Sequence, residues 1–347
     1  MARLYVETVR LRLRAPLRAA WGELRERTLL RVRLDFGDGD FGLGEAAPLE
    51  PYDGVPLAAV RAALDVYGAV LSGIGADASH AELLARCAAE RALPQALSAI
   101  DLALWDRAGR RAGRPVAELL AARVAAEAVP VNATVGAEDR AGAAAAAARA
   151  AEAGFGCVKL KVGVGDDGGR LAAVRAAVGP HVSLRVDANG AWASPEEALA
   201  NLRLLQGADV ELCEEPVHGL AALRAVRERS PVPVAMDETA AAPGAAGSGA
   251  ADAVCLKVAR CGGITPLLRD AGAARAAGSA VYVASTYDGP LGIAAAVHAA
   301  AALLASGRVA PCGLATLDAF ADPAGRPPAL AVSGGSIAVP AGPGLLG

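Results

Sequence analysis

The chain reads as an α/β protein: a (β/α)7β barrel joined to an α+β capping domain that is built from the N-terminal part plus the C-terminal tail. Three observations predict this. Much of the first 45 residues alternates apolar and polar side chains, as half-buried strands do. From Val129 onward, short apolar runs alternate with Ala-rich helical stretches, the pattern of parallel βαβ units. The 347 residues are 54% hydrophobic and 20% charged, enough for two cores and too much for one small domain.

Residues 4–14 (LYVETVRLRLR) alternate, and 28–45 (TLLRVRLDFGDGDFGLGE) read as two strands turning at Gly37-Asp38-Gly39. The intervening loop, 16–28 (PLRAAWGELRERT), is expected to be a lid, with Trp21 shielding a site below it and Arg18 or Arg25 meeting a substrate carboxylate. Helical patterns follow at 56–72, 80–91 and 93–109, so the capping domain is expected over 1–122. The barrel is expected over 123–315, with strands in PVNATV, CVKLKV, SLRVDA, VELCEEP, VPVAMDE, AVCLKV and AVYVAS. Seven in succession at this spacing favour a closed, TIM-like barrel over an open sheet. The alanine run at 141–153 is one barrel helix, since alanine is the best helix former, and His298 is a helix histidine in another. The Pro/Gly-rich segment 316–347 holds one more alternating run and is expected to pack on the capping domain.

A formal charge of −3 and a pI near 5.9 argue against nucleic acid as a partner, because phosphate binding needs a basic excess. Nine arginines fall within the first 33 residues; on alternating strands they read as a solvated sheet face. Six cysteines show no CxxC spacing, and three sit in apolar strands, where cysteine behaves as a small hydrophobe. No apolar run has the length of a signal or a membrane span, so a cytoplasmic location is the expectation. No interface is legible, and a homo-oligomer stays open.

The chemistry lies at the strand ends. One strand offers Lys159 and Lys161; the next four end in Asp187, Glu214-Glu215, Asp237-Glu238 and Lys257, at intervals of 20 to 27 residues. Each interval spans about one strand, one helix and their loops, so these residues recur at one level of successive units. That level is the C-terminal mouth, where barrels place their chemistry. A charge ending an apolar strand is costly to bury without a partner. Three carboxylates on adjacent strands can converge on one hard cation, Mg²⁺ or Mn²⁺. The flanking lysines are expected to face each other across it, with pKa values lowered by neighbouring cations. Lys159 and Lys161 share a strand face; Lys161, nearer the mouth, is the better base, with its pKa depressed by Lys159. Such an array suits proton abstraction beside a small-molecule carboxylate, where a metal offsets the charge of the enediolate.

These segments (VKLKVG, RVDANGAW, CEEP, AMDET and LKVARCGGI) resemble the successive barrel-strand motifs of the muconate lactonizing enzyme subgroup of the enolase superfamily. GLGEAAP (42–48) and AIDLALWD (99–106) resemble its capping-domain motifs, so the resemblance covers nearly the whole chain. It implies Asp187, Glu214 and Asp237 as metal ligands, Lys161 and Lys257 as acid/base residues, and Asn189 and Glu238 as groups orienting them. Residues 283–303 and PCGLATL (311–317) are most similar to the o-succinylbenzoate synthases, dehydratases of menaquinone synthesis. In that reading Ser285 and Thr286 contact the succinyl side. Asp288 would instead bind an ammonium group if the chain were a dipeptide epimerase. N-succinylamino acid racemization and muconate cycloisomerization use the same motifs.

Overall fold

A computed structural model describes residues 2–19, 22–75, 78–136 and 138–347. It opens with an antiparallel meander: β1 (Arg3–Ala19), β2 (Gly22–Gly37) and β3 (Asp40–Ala46). The β2–β3 turn falls where the sequence places it, with Asp38 and Gly39 both at positive φ (53° and 81°), the geometry that matches strand twist in a tight hairpin. The expected lid loop is instead largely strand. β1 and β2 continue as a two-stranded ribbon past a register shift between Arg12 and Leu17, pairing Leu17 with Leu24. Trp21 and the side chain of Arg18 lie outside the described residues.

Four helices complete this layer: α1 (Glu50–Asp53), α2 (Leu57–Ser72), α3 (His80–Glu90) and α4 (Pro94–Ala112). Leu30, Val32 and Leu34 on one face of β2 bury against Leu64, Tyr67, Ile100 and Ala103. The close approach of β3 to α4 requires glycine. A Cβ on Gly44 would lie 2.0 Å from the carbonyl oxygen of Ala99.

After α5 (Val116–Leu120) and the short β4 (Ala128–Pro130), the chain alternates strand and helix. The order is β5 (Ala133–Val135), α6 (Arg140–Glu152), β6 (Cys157–Lys161), α7 (Asp167–Val178), β7 (Ser183–Asp187), α8 (Pro195–Leu205), β8 (Val210–Glu214), α9 (Leu220–Arg227) and β9 (Val234–Met236). Then come β10 (Ala253–Lys257), α10 (Val258–Cys261), α11 (Ile264–Ala276), β11 (Ala280–Ala284) and α12 (Pro290–Ala305). Strands β5 to β11 form one parallel sheet in chain order. Segment 310–313 hydrogen-bonds to one edge, Gly313 N to Val283 O of β11 (2.9 Å), and to the residues just before the other edge strand β5, Cys312 N to Pro130 O (2.8 Å) and Asn132 N to Cys312 O (2.9 Å). The sheet therefore curls into a barrel. One connection departs from the expected pattern. Between β9 and β10 the chain makes 3₁₀ turns at Glu238–Ala241 and Ala245–Ser248, because Pro243, Gly244, Gly247 and Gly249 break any α-helix there.

Helix α12 is apolar all round and buried from Pro290 to Leu303, between the barrel strands and the capping layer. His298 at its centre accepts from Ala117 N (3.1 Å) through Nδ1 and pairs through Nε2 with Leu345 O (3.0 Å). It ties helix, barrel entry and tail together as a neutral ring. The tail touches both layers: its strands β12 (Val332–Ser333) and β13 (Ser336–Ala338) pair with β4, while Phe320 bridges Leu13 of β1. Among the described residues no helix is long and apolar enough to cross a membrane.

Burial pushes the His298 pKa down to about 4. The unfolded chain takes up this proton near pH 6.5, while the folded chain resists it until about 4. Stability is expected to be full above pH 6.5 and to fall by up to about 3 kcal/mol between 6.5 and 4 on this account. Urea melts across that range, compared with those of His298→Gln, should show the variant losing that part of the slope.

Candidate active site

The inward positions of the barrel strands alternate in chemistry. Below the mouth stand Leu212, Ala235, Cys255 and Tyr282, a buried lumen cluster joined by Arg185. Two residues further along the same strands come Asp187, Glu214, Asp237, Lys257 and Ala284, since strand side chains repeat with period two. These ends floor a cavity of about 530 Å³, roofed from the capping layer by Pro16, Leu17, Leu49 and Tyr52. The far wall is Ser285, Thr286, Tyr287 and Thr316.

Three carboxylates and three ammonium groups interleave on this floor. Lys161 Nζ donates to Asp187 Oδ2 (2.6 Å) and Asn189 Oδ1 (2.6 Å). Lys159 Nζ lies between Asp187 Oδ2 (2.8 Å) and Glu214 Oε1 (3.1 Å). Lys257 closes the row through a hydrogen bond to Asp237 Oδ1. The acids are 1 to 4% exposed. Burial alone would lower the pKa of Lys159, but Asp187 and Glu214 outweigh it and hold the pKa well above the ordinary value. Lys257 is raised likewise by Asp237 against the cost of burial. For Lys257 the expectation that crowded cations lower the pKa fails, because its ammonium is paired with Asp237. Asp187 is held low by Lys159 and Lys161 despite its burial. Burial and the Asp187 charge push Glu214 up to about 7.

Lys161 and Lys257 sit at opposite ends of the carboxylate row, four strands apart, and both line the cavity. Glu214, Asp237 and the Cys255 thiol bring ligand atoms within 4.8 Å of one another; Asp187 joins them through Lys159. An all-oxygen set of Asp187, Glu214 and Asp237 at adjacent strand ends fits a hard divalent cation, whose charge would relieve the crowding felt by Glu214.

Surrounding groups fix these side chains. Asn189, with φ at 46°, donates its amide to Glu238 Oε1 (2.9 Å) while accepting from Lys161. Glu215 faces away from the row and binds the main chain after β9, accepting from Asp237 N (2.8 Å) and Thr239 N (3.1 Å). Tyr282 OH donates to Glu214 Oε2 (2.6 Å). Tyr52 of α1 donates to Asp237 Oδ2 (3.0 Å) and accepts from Lys257 Nζ (3.0 Å) and Arg260 Nη1 (3.0 Å). Of the residues the motifs single out, Ser285 and Thr286 line the cavity and Ser285 shares a hydrogen bond with Thr316 (3.0 Å).

Asp288 does not line the cavity. It is 1% exposed, and its Oδ1 accepts from Thr286 N (3.2 Å) and Oγ1 (2.8 Å). Its loop is clamped from the capping layer, where buried Arg27 donates to Tyr287 O (3.1 Å) and Glu45 accepts from Gly289 N (2.7 Å) at the start of α12. Sequence reasoning did not reach Tyr52, Tyr282, Arg27 or Thr316. None ends a barrel strand in an apolar run, so periodicity carries no signal for them.

Two outcomes follow from this geometry. A proton competes with a cation for Glu214, so the stabilisation by added Mg²⁺ in thermal melts is expected to be full above pH 7 and to weaken by up to tenfold in affinity per unit below it. Tyr52→Phe removes one hydroxyl that three groups share. Turnover is expected to fall about 10- to 100-fold, ~1–3 kcal/mol, with a melting temperature close to that of the parent.

Comparison with known proteins agrees with the capping-layer and barrel fold. Residues 142–346 match the family model described as enolase C-terminal domain-like, and residues 1–121 match the mandelate racemase / muconate lactonizing enzyme N-terminal domain. Muconate cycloisomerase 1 of Pseudomonas putida is 32% identical over 300 residues, 83% of this chain and 80% of that protein. The o-succinylbenzoate synthase of Thermobifida fusca is 39% identical over a shorter stretch of 202 residues, 55% and 60% of the two chains. The dipeptide epimerase of Enterococcus faecalis V583, solved with Mg and L-Leu-L-Tyr, superposes with a TM-score of 0.88 at 25% identity, covering 99% of this chain and 98% of that one. With both domain models matched and the strand-end charges in place, this chain belongs to the enolase superfamily.

Proposed function

We propose that this chain is an Mg²⁺-dependent o-succinylbenzoate synthase, dehydrating the cyclohexadiene precursor of o-succinylbenzoate. The observation that carries the reading is the far wall. The Ser285–Thr316 hydroxyl pair shares one hydrogen bond and keeps one proton to donate to a succinyl group, while Thr286 spends its own on Asp288, the acid that a substrate ammonium would need, which is buried behind it. The 39% identity to the T. fusca synthase supports it further.

Asp187, Glu214 and Asp237 would hold the cation, which supplies positive charge to offset the negative charge growing on the substrate carboxylate. Lys161, neutral at its turn, takes the proton alpha to that carboxylate. Its Nζ is aimed by Asp187 and Asn189. The resulting ammonium returns the proton to the departing hydroxyl, so the C–O bond breaks, water leaves and the ring becomes aromatic. Lys257 remains an ammonium on the opposite face, where it steadies the enediolate. Pro16, Leu17 and Leu49 exclude water from above.

A second reading is isomerisation. Lysines at the two ends of the row suit removal of a proton from one face of an α-carbon and its return on the other. An N-succinylamino acid fits the wall better than a dipeptide, since it brings no ammonium group. Muconate cycloisomerisation draws on the shared motifs and on the 32% identity to the P. putida cycloisomerase.

Ultraviolet absorbance of the cyclohexadiene, followed with purified protein and Mg²⁺, tests the proposal. The diene band should disappear in a reaction that EDTA stops and that Lys161→Ala lacks. Metal-loaded, folded protein that leaves the band unchanged would overturn the synthase reading. Deuterium exchange into N-succinylamino acids and dipeptides would then decide the isomerase alternative.

A further inference from the structure

Two acids at the mouth act on the reaction above only through their neighbours: Glu215 braces the chain after β9 and Glu238 holds Asn189. Glu215 and Glu238 each follow an inward acid by one residue, so the chain turns them out of the lumen, towards the loop that carries His218. His218 Nδ1 lies 3.0 Å from Glu215 Oε1. Ligand atoms of Glu215, His218 and Glu238 all fall within 4.8 Å of one another.

The ring of His218 is seated as well as exposed. It lies over Gly190, where a Cβ would come within 2.1 Å of Nε2. Its side chain is nevertheless 58% exposed while that of Glu215 is fully buried, so the cluster opens to solvent through the imidazole.

No lysine or arginine neutralises either carboxylate by direct contact among the described residues. Glu215 binds main-chain N–H groups, Thr239 and His218. Glu238 Oε1 accepts from Asn189, and Arg260 donates to the Glu238 carbonyl rather than to its carboxylate. Independently, Glu238 Oε2 is buried with no hydrogen-bond partner. A carboxylate oxygen withdrawn from water with nothing to bind is costly, and such atoms call for a ligand.

We propose that Glu215, His218 and Glu238 form a second cation site, outside the barrel lumen, for a borderline divalent ion such as Zn²⁺, Co²⁺ or Ni²⁺. One imidazole nitrogen with two carboxylates favours these ions, whereas oxygen-only sets favour Mg²⁺. The 3.0 Å gap between Nδ1 and Oε1 suits the edge of a coordination shell with bonds of about 2.0–2.2 Å. Occupancy has a route to the base. Glu238 holds Asn189, and Asn189 holds Lys161, so a cation drawing on Glu238 loosens the aim of Lys161 and inhibits.

The assignment depends on no substrate. It is tested by titrating metal-free full-length protein with Co²⁺, reading stoichiometry by calorimetry and coordination by visible absorption. Wild type should bind two equivalents. His218→Asn should bind one, with the same melting temperature as the parent and unaltered Mg²⁺ stabilisation; His218→Ala should behave alike. A wild-type protein that takes only one equivalent, or a His218→Asn variant that still takes two, would overturn the second site.

Discussion

Three carboxylates buried on adjacent strand ends repel one another, and the rest of the molecule is arranged around that repulsion. Removing each from water costs several kcal/mol unless opposite charge stands close by. Lys159, Lys161 and Lys257 supply it from neighbouring strands, so that acid and ammonium alternate across the barrel mouth. The balance is local rather than complete. Asp187 is held ionised by two lysines, while Glu214, buried and crowded by Asp187, is pushed towards protonation. A divalent cation would offset the negative charge crowded on Glu214, and an all-carboxylate donor set suits such an ion.

This array needs rigid support, and the barrel provides it through the layer below. Arg185 is fully buried in the lumen, paired with Glu211 and donating to Pro311 O (2.7 Å), while Tyr282 rises from the same layer to hold Glu214. The strands thus carry two stacked polar levels inside an apolar wall. At the mouth itself, Asn189, Glu215 and Tyr287 adopt positive φ (46°, 38° and 57°). Such backbone is uncommon outside glycine and clusters where side chains must be aimed.

The capping layer does more than cover the cavity. Tyr52 reaches down to join Asp237, Lys257 and Arg260, and Arg27 with Glu45 clamps the loop after β11 that presents Ser285 to Tyr287. Arg27 and Glu45 are buried at this junction, where each lost partner leaves another unsatisfied. The shape of the far wall is therefore set jointly by both layers. On the proposed reading it is this wall that selects the substrate.

The amino-acid sequence alone determined the strand-end charges and their level in the barrel. Period two along strands and a repeat of 20 to 27 residues are local quantities that need no coordinates. It also located the β2–β3 hairpin, because Asp-Gly demands positive φ there. What the tertiary structure decided is everything that depends on which partner a charge finds. Lys159 reads as a strand neighbour of Lys161, and the fold seats its ammonium between Asp187 and Glu214. Asp288 reads as a substrate contact, yet Thr286 caps it beneath the wall. Tyr52 and Asp237 are 185 residues apart, and only the docking of one layer on the other brings them to 3.0 Å. Pairings across such separations come from packing, which periodicity does not encode.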